Sequence, residues 1–273
     1  MATNRWRLIK DTAHDGAWNM AVDEAIREFT AKHIVHPTLR LYSWEPYTLS
    51  LGRAQPVADA DTDKINTGKW GLVRRPTGGR AILHADELTY AVCAPEDDEI
   101  VHGGVLESYR KISRGLLEAL AFLGITADSL PKSNKLSERN PNPVCFQDPS
   151  DYEITFGGMK IIGSAQARRN QGILQHGAIP LFGDISRITQ VLSFSEKGSR
   201  VNAAAKLKER AATLTDIIGK KVTRESISKA IELGFSKAHQ IEWMEGSLTI
   251  GETKLAQELY KNKYANSEWT YKI

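Results

Sequence analysis

A chain of 273 residues can bury a sizeable core, and 41% hydrophobic with 25% charged residues is the balance of an ordinary globular protein. No run approaches the roughly 20 apolar residues of a membrane span, and the segment from Met1 to Arg7 has no apolar h-region, so neither membrane nor secretion is expected. The net charge of +3 leans only slightly toward acidic partners and is too small to single out nucleic acid, which is not expected as a partner, and two cysteines make no disulfide framework.

Trp18, Val22, Ala25, Ile26 and Phe29 share one helical face, with Asp15 placed to cap its N-terminus. Strand-like runs follow from Thr38 to Trp44 and from Thr48 to Gly52, separated by the turn Glu45-Pro46-Tyr47. Gly71 to Arg75 reads as a third strand entering the tight loop Pro76-Thr77-Gly78-Gly79-Arg80. Ala81 to His84 and Leu88 to Cys93 then read as a strand pair. Tyr109, Ile112, Leu116, Leu120 and Leu123 recur at helical spacing, and Gly124 stands where the helix should end.

The polar stretch from Pro131 to Pro143 is a loop by composition. Asp151 to Phe156 and Met159 to Ala165, around Gly157-Gly158, predict a hairpin, and Ile173 to Leu181 supplies another strand. Beyond Gly183 helices are expected over 185–192, over 223–233 with Thr223 as cap, and over roughly 248–264. Without repeats or linkers, the expectation is an α+β fold: a mixed or largely antiparallel sheet with packed helices. One domain should span 1–273, with a core near 38–220 and a helical C-terminal part over 221–273.

Several residues are candidates for chemistry. Arg74-Arg75-Pro76-Thr77-Gly78-Gly79-Arg80 suits an anion or acyl-carbonyl cradle, because glycines allow close backbone approach beside arginine charge; a plain glycine hairpin with solvated arginines fits the spacing equally. Cys145, after the polar loop and before the hairpin, is placed as a nucleophile would be, although an inert half-buried thiol is the common case. Cys93, in an alternating strand, reads as packing. Lys160 opens the second hairpin strand, either as an exposed strand lysine or as an ammonium that lowers a thiol pKa and steadies an oxyanion. His84 and His176 read as half-buried histidines or as bases. No CxxC, HxH or HExxH spacing supports a metal site, and no GxSxG elbow supports a serine triad.

The run Arg74-Arg75-Pro76-Thr77-Gly78-Gly79-Arg80-Ala81-Ile82-Leu83-His84, followed by Glu87-Leu88-Thr89-Tyr90, resembles the signature of the lipoate-protein ligase and octanoyltransferase superfamily. Asn19-Met20-Ala21-Val22-Asp23-Glu24-Ala25, Ile162-Gly163-Ser164-Ala165-Gln166 and Leu174-Gln175-His176-Gly177 match as well, so the likeness covers essentially the whole chain. Cys145 in Val144-Cys145-Phe146-Gln147-Asp148, together with Arg80, is similar to the LipM-type octanoyltransferase branch, whereas ATP-dependent ligases typically carry no cysteine there.

The resemblance implies a biotin/lipoate protein ligase-like catalytic fold, catalysis by Cys145 and Lys160, and substrate binding by Arg74, Arg75, Gly78, Gly79, His84, Gly163, Ser164 and Ala165. It further implies a cytoplasmic, cofactor-free reaction. An octanoyl group would pass from octanoyl-acyl carrier protein to a lysine of a lipoyl-type domain, on glycine-cleavage H protein or a dehydrogenase subunit. Monomer is the default state. An ATP-dependent ligase and a non-catalytic lipoyl-domain binder are the alternatives.

Overall fold

The computed structural model describes residues 4–130, 153–194 and 198–273. Cys145 and the polar stretch from Pro131 to Pro143 lie outside the described residues.

The frame is an eight-stranded mixed sheet in the order β11-β1-β2-β6-β10-β9-β8-β7. Its strands are β1 (Asn4–His14), β2 (Thr38–Trp44), β6 (Glu87–Pro95), β7 (Asp128–Leu130), β8 (Glu153–Phe156), β9 (Met159–Arg169), β10 (Gly172–Pro180) and β11 (Ile241–Glu245). β1 runs parallel to both β2 and β11, and the pairs from β2 through β6, β10 and β9 to β8 are antiparallel. A smaller sheet holds β3 (Thr48–Leu51) between β4 (Gly71–Arg74) and β5 (Ile82–His84).

Both faces of the large sheet are covered, which is why β2 and β6 are buried along their whole length. Strand alternation sends Leu39, Leu41, Leu88, Tyr90 and Val92 to one face. There they meet α3 (Val105–Phe122) and α6 (Arg224–His239), which pack on each other. Tyr42, Trp44, Ala91 and Cys93 face the other way, toward α1 (Gly16–Ala31) and α7 (Ile250–Leu259). Leu49, Leu51 and Ala81 of the small-sheet region form a third core with Ile188 and Leu192.

Local chemistry explains the element ends. Asp15 accepts a hydrogen bond from Trp18 N at 2.9 Å and starts α1. Thr223 caps α6 in a reciprocal capping box with Ser226. Gly157 and Gly158, at φ +56° and +80°, make the primed two-residue turn of the β8–β9 hairpin.

The expected pairing of Ala81–His84 with Leu88–Cys93 does not occur. β6 spends both edges on β2 and β10, so β5 joins β3 in the other sheet, and Asp86 at φ +53° turns the chain between them. The helix expected over 185–192 is a 3₁₀ turn, Ile185–Gln190, and the one over 248–264 is α7 followed by a π-helical turn, Tyr260–Tyr264. Among the described residues no helix is long and apolar enough to cross a membrane.

Candidate active site

A narrow pocket, with about 290 Å³ of empty space that includes open solvent, lies where the two sheets meet. Met20 of α1, Trp44 of β2, Ile82 of β5 and Ala165 and Ala178 of β9 and β10 give it apolar walls. Ser50, Arg75, His84, Thr89 and His176 supply its polar groups. Of the residues expected to bind substrate, Arg75, His84 and Ala165 therefore come together, whereas Arg74, Gly78, Gly79, Gly163 and Ser164 are not in the lining, nor is Lys160, which was expected to act in catalysis.

The two histidines are held by the same construction. His84 Nδ1 lies 3.1 Å from Glu87 Oε1, and Nε2 lies 2.8 Å from Ser50 Oγ. Its ring stacks on Trp44 with centroids 3.8 Å apart. His176 Nδ1 lies 3.2 Å from Asp23 Oδ2, and Nε2 lies 2.7 Å from Thr77 Oγ1. All seven of these side chains are buried.

Burial lowers the His176 pKa more than the Asp23 carboxylate raises it, so the ring is neutral near pH 7. In that state Nδ1–H donates to Asp23 and Nε2 accepts from the Thr77 hydroxyl. Burial works against the charge on Asp23, but the bond from His176, Arg40 Nη1 at 2.8 Å and Tyr42 OH at 2.7 Å keep it ionised, below the usual carboxylate range.

The glycine loop is fixed from beneath. Arg75 donates to the carbonyls of Ser50, Gly78 and Arg80 at 3.0, 2.7 and 2.7 Å. Arg74 is fully buried and donates to backbone carbonyls on both sides, at Gly52 and at Thr270. The tightest backbone approach falls at Gly52: a Cβ there would lie 1.9 Å from the Gly79 carbonyl oxygen. Gly78 has open space on its Cβ side, and Gly79 sits at φ +90°.

Lys160 Nζ donates to Glu153 Oε1 at 2.6 Å across the β8–β9 hairpin, and the Lys160 side chain is buried. Its backbone carbonyl accepts from Ala212 N at 3.1 Å. Ser164 Oγ lies 2.7 Å from Tyr90 OH, and Gly163 is paired with Ala178. Cys93 is fully buried, with its thiol pKa pushed well up by that burial.

Sequence reasoning did not foresee that Asp23, Thr77, Ser50 and Glu87 are the groups that orient the two imidazoles. The signal was faint: Asp23 and Thr77 sit inside stretches of the family signature, and Glu87 follows His84 at three positions.

The chain matches the model of the lipoyl protein ligase A/B catalytic domain over residues 15–236. It belongs to that family. Octanoyltransferase LipM of Clostridioides difficile (strain 630) is 38% identical over 272 residues, covering 98% of this chain and 99% of the relative. Octanoyltransferase LipM of Symbiobacterium thermophilum is 40% identical over 274 residues and 98% of each chain. Among solved structures, a bipartite lipoate protein ligase from Thermoplasma acidophilum, described with its E2 lipoyl domain, superposes with a TM-score of 0.81. It is 25% identical and covers 99% of this chain and 97% of that one. A lipoate-protein ligase A bound with ATP gives a TM-score of 0.79 at 26% identity, over 98% of both chains. The α+β catalytic fold of the lipoate protein ligases is thus the fold of this chain.

Proposed function

We propose that this chain transfers an octanoyl group from octanoyl-acyl carrier protein to a lysine of a lipoyl-type domain, through an acyl-Cys145 intermediate in the cytoplasm. Octanoyl transfer in lipoate biosynthesis rests on one observation, the full-length likeness to LipM octanoyltransferases at 38% and 40% identity. The pocket between the sheets suits that substrate. Its apolar walls match an alkyl chain, and Arg75 beneath the Gly78-Gly79 loop brings positive charge to one end.

In the first step the Cys145 thiolate attacks the thioester carbonyl carbon, the carbon–sulfur bond to the carrier breaks, and the carrier thiolate leaves and takes up a proton. In the second, a neutral lysine amine attacks the acyl-Cys145 carbon. The carbon–nitrogen bond forms, the bond to Cys145 Sγ breaks, and an amine proton passes to the thiolate. Lys160, whose ammonium donates to Glu153 Oε1, is the cation assigned to steady the negative charge in both steps. An amide is more stable than a thioester, so the exchange runs downhill without ATP.

A ligase reading has a specific observation in its favour, the likeness to a lipoate-protein ligase bound with ATP. Mixing the protein with octanoyl-acyl carrier protein, without ATP, separates the two by intact mass. One octanoyl group added to the unaltered chain, and none to Cys145→Ala, supports transfer. Acceptor modification that requires ATP and proceeds in Cys145→Ala overturns it.

A further inference from the structure

Beside the acyl pocket a second cleft, with about 490 Å³ of empty space open to solvent, runs between the β5–β6 connection and the segment after β10. The two share Ile82 and Ala178 as a common wall. Thr213, next to the Ala212 amide that bonds the Lys160 carbonyl, lines the far side. The cleft thus adjoins the acyl pocket through Ile82 and Ala178 and, through Thr213, the segment bonded to the Lys160 carbonyl.

Its charged groups are unequally satisfied. Asp86 and Arg187 hold each other at 2.6 Å, and Asp184 caps its 3₁₀ turn and faces Lys208 at 3.4 Å. Glu87 also lines the cleft and is 3% exposed. Its Oε1 faces His84 and accepts from Thr89, but its Oε2 is buried with no hydrogen-bond partner among the described residues. A carboxylate oxygen left this way costs free energy until a donor reaches it. The donor that fits a buried carboxylate behind walls of Ile82, Ala178 and Phe182 is an ammonium on an unbranched alkyl stem.

We propose that this cleft admits the acceptor lysine, its methylene stem between Ile82, Ala178 and Phe182 and its ammonium donating to Glu87 Oε2. That the alkylamine is the acceptor's lysine rests on the transfer reading; that the cleft takes an alkylammonium is read from the cleft itself. Entry here brings the amine to the wall shared with the acyl pocket, a single carboxylate selects a cationic side chain over an apolar one of the same length, and Glu87 takes the proton that the ammonium loses before the neutral amine attacks.

The test titrates the full, isotope-labelled chain with n-butylammonium and, as an uncharged control, with pentan-1-ol, reading the amides of Ala178 and Phe182. Saturable shifts with the amine, clearly tighter than with the alcohol, are expected. Glu87→Gln should weaken the amine at least about tenfold, as loss of a charge-assisted hydrogen bond does. Ile185→Trp, which narrows the cleft without touching Glu87, should weaken it as well and decides the matter if Glu87→Gln fails to fold. No saturable shift, an equal response to the alcohol, or undiminished binding in the variants overturns the proposal. A second readout uses chain preloaded with octanoyl, in which Glu87→Gln should raise the acceptor KM at least about tenfold relative to its effect on loading. If the unaltered chain never loads, the transfer reading fails, and the butylammonium titration still decides the cleft.

Discussion

Each imidazole at the site is fixed at both nitrogens, by a carboxylate on one side and a hydroxyl on the other, so its orientation is set before substrate arrives. Cys93 is fully buried, and burial pushes its thiol well above the range where thiolate is populated. If Cys145 is the nucleophile proposed above, iodoacetamide at pH 7.5 should add one carbamidomethyl group to the native chain, at Cys145, and a second, at Cys93, only after unfolding. Rapid native labelling of Cys93 by peptide mapping would contradict this. The glycine loop carries a separate prediction. Gly52→Ala puts a methyl against the Gly79 carbonyl, and since both partners are backbone, the loop must move. Acyl loading should fall at least about tenfold while the far-ultraviolet spectrum is kept, a misplacement effect rather than unfolding. The motif drew attention to Gly78 and Gly79 as the close-approach positions, but the crowding falls on Gly52, three residues before Gln55 and far from the motif in sequence. Pairwise approach between distant segments leaves no mark in local spacing.

Among elements, those with a strong local signal were legible and those defined by partners were not. Asp15 announces α1, and two glycines announce the β8–β9 turn. The helix α4 (Ser199–Arg210) buries only Ala203 and Leu207, so it has no stripe wide enough to read. β11 was equally hidden, since only Ile241 of its five residues is buried and its place is set by parallel pairing with β1. The contact between α3 and α6 has a measurable electrostatic consequence. Burial, and then the nearby Arg114 of α3, push the His239 pKa down to about 4, against a smaller opposing effect of a hydrogen bond with the Lys111 backbone. The folded chain thus disfavours protonation that the unfolded chain accepts near 6.5. Above pH 6.5 there is no penalty; as pH falls from 6.5 toward 4, stability is lost. His239→Gln should raise the urea midpoint at pH 5 more than at pH 7.5. An equal effect at both pH values would mean that His239 does not titrate in this window.

At the scale of the whole molecule, the residues nearest the C-terminus hold the site together. Arg74, at the end of β4, donates through Nη1 to the Gly52 carbonyl and through Nε and Nη2 to Thr270 O at 3.0 and 2.8 Å. Trp269 Nε1 returns a bond to the Arg74 carbonyl at 2.8 Å, and Val57 N donates to Ile273 O at 2.8 Å. One guanidinium thus clasps the short helix Ser267–Thr270 to the strand end that leads into the glycine loop. The motif's arginines suggested direct substrate contact, and both readings of Arg74 can be tested with one substitution. Arg74→Lys keeps the charge, but a compact ammonium cannot span two sets of carbonyls on opposite sides, so at least one set loses its donor. If Arg74 is a clasp, the variant should lose on the order of 3 kcal/mol of unfolding free energy, the worth of one or two hydrogen bonds to a charged donor. Acyl loading should fall through kcat as the loop loosens, and a low concentration of a stabilising osmolyte should recover part of it. If Arg74 instead binds the acyl carrier's anionic arm, stability should hold and the loss should appear in the KM for the carrier, steepening with salt. Burial of the whole side chain against backbone carbonyls favours the first outcome, and urea unfolding beside steady-state kinetics on the same preparation decides it.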